Sequence, residues 1–205
     1  MVTEVGATVA NEWPEAMRLA PWGRPPPFRP PTEAEAAELA AVYRRVEEAL
    51  EEISSSCRAC GQCCQFGPDR PVLFASALEL AYLVSRRGVP IEGRVPPGSP
   101  DAPWRCPYQE GRACTARVER PLGCRTFFCD EQVRGRGEEV YAQTLPQIRQ
   151  IAARGKGGGW YGPARFYFAQ VYTLAAGEDF PVDTPIRTAY DSGRRERESG
   201  GRGHP

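Results

Sequence analysis

The sequence predicts a mainly α protein with irregular cysteine-rich loops and a few short strands, a small single domain organised around a metal centre. Three observations carry this. Two stretches place apolar residues along one helical face behind a capping box. Eight cysteines gather in two segments of the chain. The second of those segments is broken by Gly and Pro and shows little apolar periodicity of its own.

Residues 1–31 form a Pro- and Trp-rich N-terminal extension, in which RPPPFRPP at 24–31 favours a polyproline-like path. It reads as a flexible leader or, through Trp13, Trp22 and Phe28, as a strap laid on the core. It is also the candidate contact for a protein partner. Residues 32–180 read as the cysteine-cluster metal-binding domain. A first helix is predicted over about 33–53, where Thr32 and Glu35 make a capping box. Leu39, Val42, Val46, Leu50 and Ile53 recur every three or four residues and give it one apolar face. It leads straight into SSSCRACGQCC.

A second helix is predicted over about 76–87, with Ser76 and Glu79 as its capping box and Gly88 as its stop. The VLF before it reads as a short strand. Residues 89–103 form a loop rich in turn signals. A third helix is predicted over about 137–153, kinked or divided at Pro146. After GKGGG, the stretch ARFYFAQVYTLA suits a strand or a last helix. The polar tail, 181–205, reads as disordered.

The bulk numbers narrow the setting. With 205 residues, 41% hydrophobic and 25% charged, the chain can bury a core without disulfide staples. A formal net charge of zero gives no ground for a nucleic-acid partner. No apolar run approaches the roughly 18 to 20 residues of a membrane span, so no membrane is expected either. The first residues lack the basic start and apolar stretch of a secretory signal. A cytoplasmic location is therefore expected, where thiols stay reduced and a disulfide framework is disfavoured.

Cys57, Cys60 and Cys63 are spaced C-x2-C-x2-C, which lets the chain curl around an ion with its sulfurs inward. Gly61 permits the tight turn. This is a strong sign of metal and a weak sign of which metal. The only histidine, His204, sits in the tail and reads as a solvated terminal residue. Its position removes His-containing zinc sites and the usual partner of a cysteine nucleophile, leaving the soft or borderline metals that thiolates select. A redox dithiol also uses CxxC, yet the βαβ scaffold of such enzymes is absent.

Cys63 and Cys64 are adjacent, so in an extended segment their side chains point to opposite sides. That suits two sites, or one polynuclear centre, or one ligand beside one packed thiol. The second group, Cys106, Cys114, Cys124 and Cys129, has irregular gaps and five surrounding arginines, Arg105, Arg112, Arg117, Arg120 and Arg125. These make either a solvated basic face or a set of donors that offset the charge of metal-bound thiolates. Arg120 and Arg125, which bracket Cys124, favour the second.

This pattern resembles the CxxCxxCC cysteine-cluster family (YkgJ-like), described as zinc- or iron-chelating, to which the flagellin lysine methylase is similar. The matching residues are Cys57, Cys60, Cys63 and Cys64, then Cys106-Pro107, Cys114, the block Arg120-Pro121-Leu122-Gly123-Cys124-Arg125, and Cys129. The match covers roughly 55–130 and excludes the leader, the flanking helices and the tail. The resemblance implies that all eight cysteines are metal ligands. The methylase comparison implies an iron–sulfur cluster of the [4Fe-4S] type, and the family description also permits zinc.

The function expected is that of a metal-binding protein, holding an iron–sulfur cluster or zinc through cysteine thiolates in an electron-transfer, sensing or structural role. One alternative is a methyltransferase-like enzyme using the cluster. Against it, the chain shows no glycine-rich nucleotide fingerprint and no C-x3-C-x2-C run. The other is a thiol redox or interaction module with the Pro-rich leader as its contact. No catalytic residue and no cofactor beyond the metal is legible.

Overall fold

A computed structural model describes residues 22–57, 59–66, 72–88, 104–155 and 159–176, the side chains of 172–176 excepted. The described residues are mainly helical, joined by strands of two or three residues. Helix α1, Glu33–Ala49, starts at the predicted capping box: the Thr32 hydroxyl accepts from the Glu35 N–H, and the Glu35 carboxylate accepts from the Thr32 N–H at 2.7 Å. Leu39, Val42, Val46 and Leu50 are buried on its inner face.

The helix ends four residues before the predicted limit. A 3-10 helix, Glu51–Ser56, takes over, and the Ser54 hydroxyl donates to the Glu51 carbonyl at 2.8 Å. Serines bonding to nearby carbonyls compete with the α-helical ladder, which accounts for the change within EEISSS.

Strand β1 is Gln65–Phe66 and strand β2 is Phe74–Ser76. Helix α2, Ala77–Arg87, follows at once, with Ser76 and Glu79 as its capping box and Gly88 closing it. Glu79 is only 1% exposed and does more than cap. Its carboxylate also accepts from the Leu122 N–H at 2.8 Å and the Tyr43 hydroxyl at 3.3 Å. Strands β3 (Trp104–Arg105), β4 (Gln109–Glu110) and β5 (Ala113–Cys114) lead to a short helix α3, Leu122–Thr126.

Helix α4, Glu131–Arg154, starts earlier than predicted and is not divided at Pro146. It begins at Asp130, whose side chain accepts from the Gln132 N–H at 3.0 Å, six residues earlier than expected. Gly135 and Gly137 had masked that start, because glycine is a poor helix former. Gly137 is required there: a Cβ would collide with the Thr126 carbonyl where α3 meets α4. The helix also runs undivided through Pro146, which lies on its exposed side, where water can reach the backbone groups that proline leaves unpaired.

The stretch after GKGGG splits. Tyr161–Pro163 is strand β6, antiparallel to β2, and Ala164–Ala176 is helix α5. Phe166, Tyr167, Phe168 and Val171 are all buried, so neighbours surround this helix instead of leaving it a polar face. Of the two readings left open for ARFYFAQVYTLA, strand or last helix, the structure shows the helix.

Two apolar clusters form the core. One joins α2 and α5 to the strands through Leu80, Val84, Trp104, Tyr167 and Phe168. The other packs α1 against α4 through Leu39, Val46, Val140, Ile148 and Ile151. Fully burying each such side chain contributes about 1.5 to 3 kcal/mol. The segment Trp22–Pro31 lies along this body: Trp22 stacks on Phe166 at 5.9 Å and meets Phe74 edge-on at 6.0 Å. The Trp160 indole N–H donates to the Gly23 carbonyl at 3.3 Å. Among the described residues no helix is long and apolar enough to cross a membrane. The expectations for Trp13, the 89–103 loop, the tail and His204 lie outside the described residues.

Candidate metal centre

The first cysteine group sits in a loop with two left-handed positions. Gly61 has φ of 76° and Ala59 has φ of 47°, which is uncommon for a residue with a side chain. These reversals wind Cys57, Cys60 and Cys63 around the loop. The Gln109 side-chain amide then ties the loop down, donating to the Gly61 carbonyl at 2.9 Å.

Two antiparallel ladders bring in the second group. Strand β1 pairs with β3, Gln65 facing Arg105 and Phe66 facing Trp104. One step further along that register Cys64 faces Cys106, and the Cys106 N–H donates to the Cys64 carbonyl at 2.8 Å. The chain turns, and the β4–β5 hairpin sets Cys114 opposite Gln109. Cys124 rides on α3, whose first N–H is held by buried Glu79. Cys129 stands just before the α4 cap.

All eight cysteines are free thiols, and all eight line one cavity of about 1100 Å³. Phe66, Tyr108, Phe128 and Phe168 supply part of its apolar wall. The Cys64 thiol is in hydrogen-bond contact with those of Cys63, Cys106 and Cys114. On the other side Cys129 is in contact with Cys60.

The electrostatics follow from these contacts. The Cys64 thiol is pushed strongly up, first by its bond to Cys106 and then by those to Cys114 and Cys63. Its bonds to Cys63 and Cys114 lower each of those to about 6, and the Ala116 N–H helps at Cys114. Burial raises Cys124 well above the ordinary thiol range, and raises Cys129. Arg120 lines the same cavity, where the charge of Cys114 and Cys124 acts on it, and burial lowers its own pKa. Its Nε has no hydrogen-bond partner among the described residues.

The two arginines of the Arg120–Arg125 block therefore part company. Arg120 faces the thiols with a donor to spare. Arg125 pins the fold instead: it is 3% exposed, donates through Nε to the Arg120 carbonyl at 2.8 Å, bonds to Glu47 and the Val118 carbonyl, and stacks over Tyr43 at 3.8 Å. Arg112 and Arg117 also line the cavity, whereas Arg105 donates to Gln109 at 3.1 Å. Gln109 and Glu79 are the positioning residues that spacing alone did not reveal.

The thiols line the cavity without meeting at one point. Among the described residues no three His, Cys, Asp or Glu side chains are arranged to grip a single ion. The donor set itself, reduced thiols backed by Arg120 and a backbone N–H, fits the chemistry of a thiophilic centre. The chain matches no family model, no curated protein and no solved structure. The family resemblance thus rests on the cysteine spacing.

Proposed function

We propose that this chain is a metal-binding protein that holds its metal through cysteine thiolates, with an iron–sulfur cluster as the preferred occupant. One observation carries the reading: eight free thiols, drawn from segments more than 40 positions apart, face a single cavity.

The residues divide the work. Cysteine sulfurs ligate. Arg120 offsets negative charge, the Ala116 N–H donates to the Cys114 sulfur, and the Gln109 amide fixes the loop that carries Cys60 and Cys63. When bound, a cluster would supply one-electron chemistry or a structural cross-link. Zinc is the second reading, since sets of cysteine thiolates also suit a tetrahedral zinc site.

Elemental analysis of protein purified anaerobically under iron-replete conditions tests this. Brown protein containing iron and sulfide, with broad visible absorption bleached by dithionite, is expected. Colourless protein with stoichiometric zinc would replace the cluster by the second reading. Protein without metal would overturn both.

A further inference from the structure

Strand register sets one pair of cysteines against each other. Gln65 faces Arg105 in the β1–β3 ladder, so one step further Cys64 faces Cys106. The Cys106 N–H donates to the Cys64 carbonyl at 2.8 Å, which continues the ladder to this pair. In a hydrogen-bonded antiparallel pair the Cα atoms lie about 5.5 Å apart, with both side chains on one face. A disulfide needs Cα atoms roughly 4.4 to 6.8 Å apart and side chains that do not diverge. Both residues are buried to the same degree, each 9% exposed, and both line the large cavity.

We propose that Cys64 and Cys106 form a reversible cross-strand disulfide, made by exchange with a low-molecular-weight disulfide of the glutathione type. The proposal goes beyond the metal-binding reading and does not rest on it.

The other thiols do not compete on equal terms. The Cys64 thiol also touches those of Cys63 and Cys114, so contact alone does not choose its partner. Cys63 and Cys64 share one peptide bond, which holds their Cα atoms about 3.8 Å apart, short of the disulfide range. Cys114 belongs to a different ladder, where it faces Gln109. Cys124 rides on α3 and Cys129 precedes α4, and no strand register sets either against Cys64. A bond within Cys57, Cys60 and Cys63 would close only a short loop. The Cys64–Cys106 bond spans more than 40 positions and constrains the unfolded chain more.

The exchange balances without any other oxidant. One of the two thiolates attacks glutathione disulfide, forming a mixed disulfide and releasing one glutathione thiolate. The second cysteine thiolate then attacks the protein sulfur of that mixed disulfide, and the second glutathione leaves. The two protons lost by the cysteines end on the two glutathione thiols. Two protein thiols are thus oxidised and one small disulfide is reduced. Oxidised, the pair staples 57–64 to 104–130 and withdraws two sulfurs from ligation. Reduced, it returns both sulfurs to the cavity.

Full-length chain, reduced and treated with a chelator, is equilibrated without oxygen in mixtures of reduced and oxidised glutathione. Free thiols are then alkylated and the peptides mapped by mass spectrometry. Exchange runs to equilibrium, so the bond that the folded chain accommodates best accumulates. As the oxidised share rises, the first protein disulfide should join Cys64 to Cys106. Those two should lose alkylation together while the other cysteines stay alkylated. C114S should form the same bond at an unchanged glutathione ratio. C106S should leave Cys64 alkylated at ratios that fully cross-link the native chain.

A first disulfide within Cys57, Cys60 and Cys63, a mixture of pairings, or glutathione adducts alone would each overturn the proposal. So would a C106S chain in which Cys64 pairs as readily with Cys114, since contact and not register would then govern. No arm reads metal content, so elemental analysis stays a separate test of the metal-binding reading.

Discussion

Gly61 carries two constraints at once. Its φ of 76° lies where a side chain costs about 1 to 2 kcal/mol, and a Cβ would run into the Gln109 amide and come within 3.0 Å of the Arg112 carbonyl. Gly61→Ala should therefore lower stability by at least about 1 to 2 kcal/mol and reduce metal content, as thermal melts and elemental analysis would read. Ala59→Gly is the contrasting change. It relieves a left-handed backbone at φ of 47° and should leave stability unchanged or raise it by up to about 1 kcal/mol, with metal retained. An Ala59→Gly variant as damaged as Gly61→Ala would mean that the loop is not held in this conformation. Gly61 was legible in the sequence as a turn between cysteines. Gln109 was not, because a glutamine in a hairpin has many ordinary uses and only the folded chain brings it to Gly61. Arg120 and Arg125 looked equivalent for the same reason: both flank Cys124 in sequence, and only packing sends one to the thiols and the other to Glu47 and Tyr43.

Among the elements, α3 is the one least able to stand alone. It has five residues, and its first N–H depends on Glu79 from α2. Glu79 accepts from the Ser76 N–H and hydroxyl on one oxygen and from Leu122 and Tyr43 on the other. A glutamine can accept on one oxygen only, so Glu79→Gln should cost about 1 to 3 kcal/mol and loosen the helix that carries Cys124. The pH dependence has a definite sign. Burial raises the folded-state pKa of Glu79 above 4.5, so the folded chain retains a proton that the unfolded chain releases. That contribution is full below pH 4.5 and is lost as pH rises through the raised folded value. The stability gap between wild type and Glu79→Gln should accordingly narrow as pH rises across that window in denaturant titrations. A gap that widens would mean that hydrogen bonding, not burial, governs this carboxyl. Helices α1 and α2 were legible because their caps are local, Thr32 with Glu35 and Ser76 with Glu79. Helix α5 was not, since its identity depends on what surrounds it.

For the whole molecule, the two clusters of apolar side chains and the cysteine cavity divide the burden of stability unequally. Strands β1, β3, β4 and β5 have two residues each, too few to repay a backbone ordering cost of about 1 to 2 kcal/mol per residue. Ligation would close the long loop between the two cysteine groups and turn binding energy into folding energy. Chelator-treated protein should keep much of its helical signal, while 57–64 and 104–130 lose hydrogen-exchange protection. Unchanged protection there, with metal verifiably removed, would mean that the centre decorates the fold without supporting it. The strap offers a last consequence, in the order of synthesis. Gly23 and Trp160 meet across 137 positions, so that contact cannot form until nearly all of the described chain has been translated. Every cysteine precedes Trp160, whereas Tyr161 and Phe168 of the cavity wall follow it. On a ribosome the thiols emerge while that wall is still missing. The nascent chain thus presents its thiols before that part of the wall is in place.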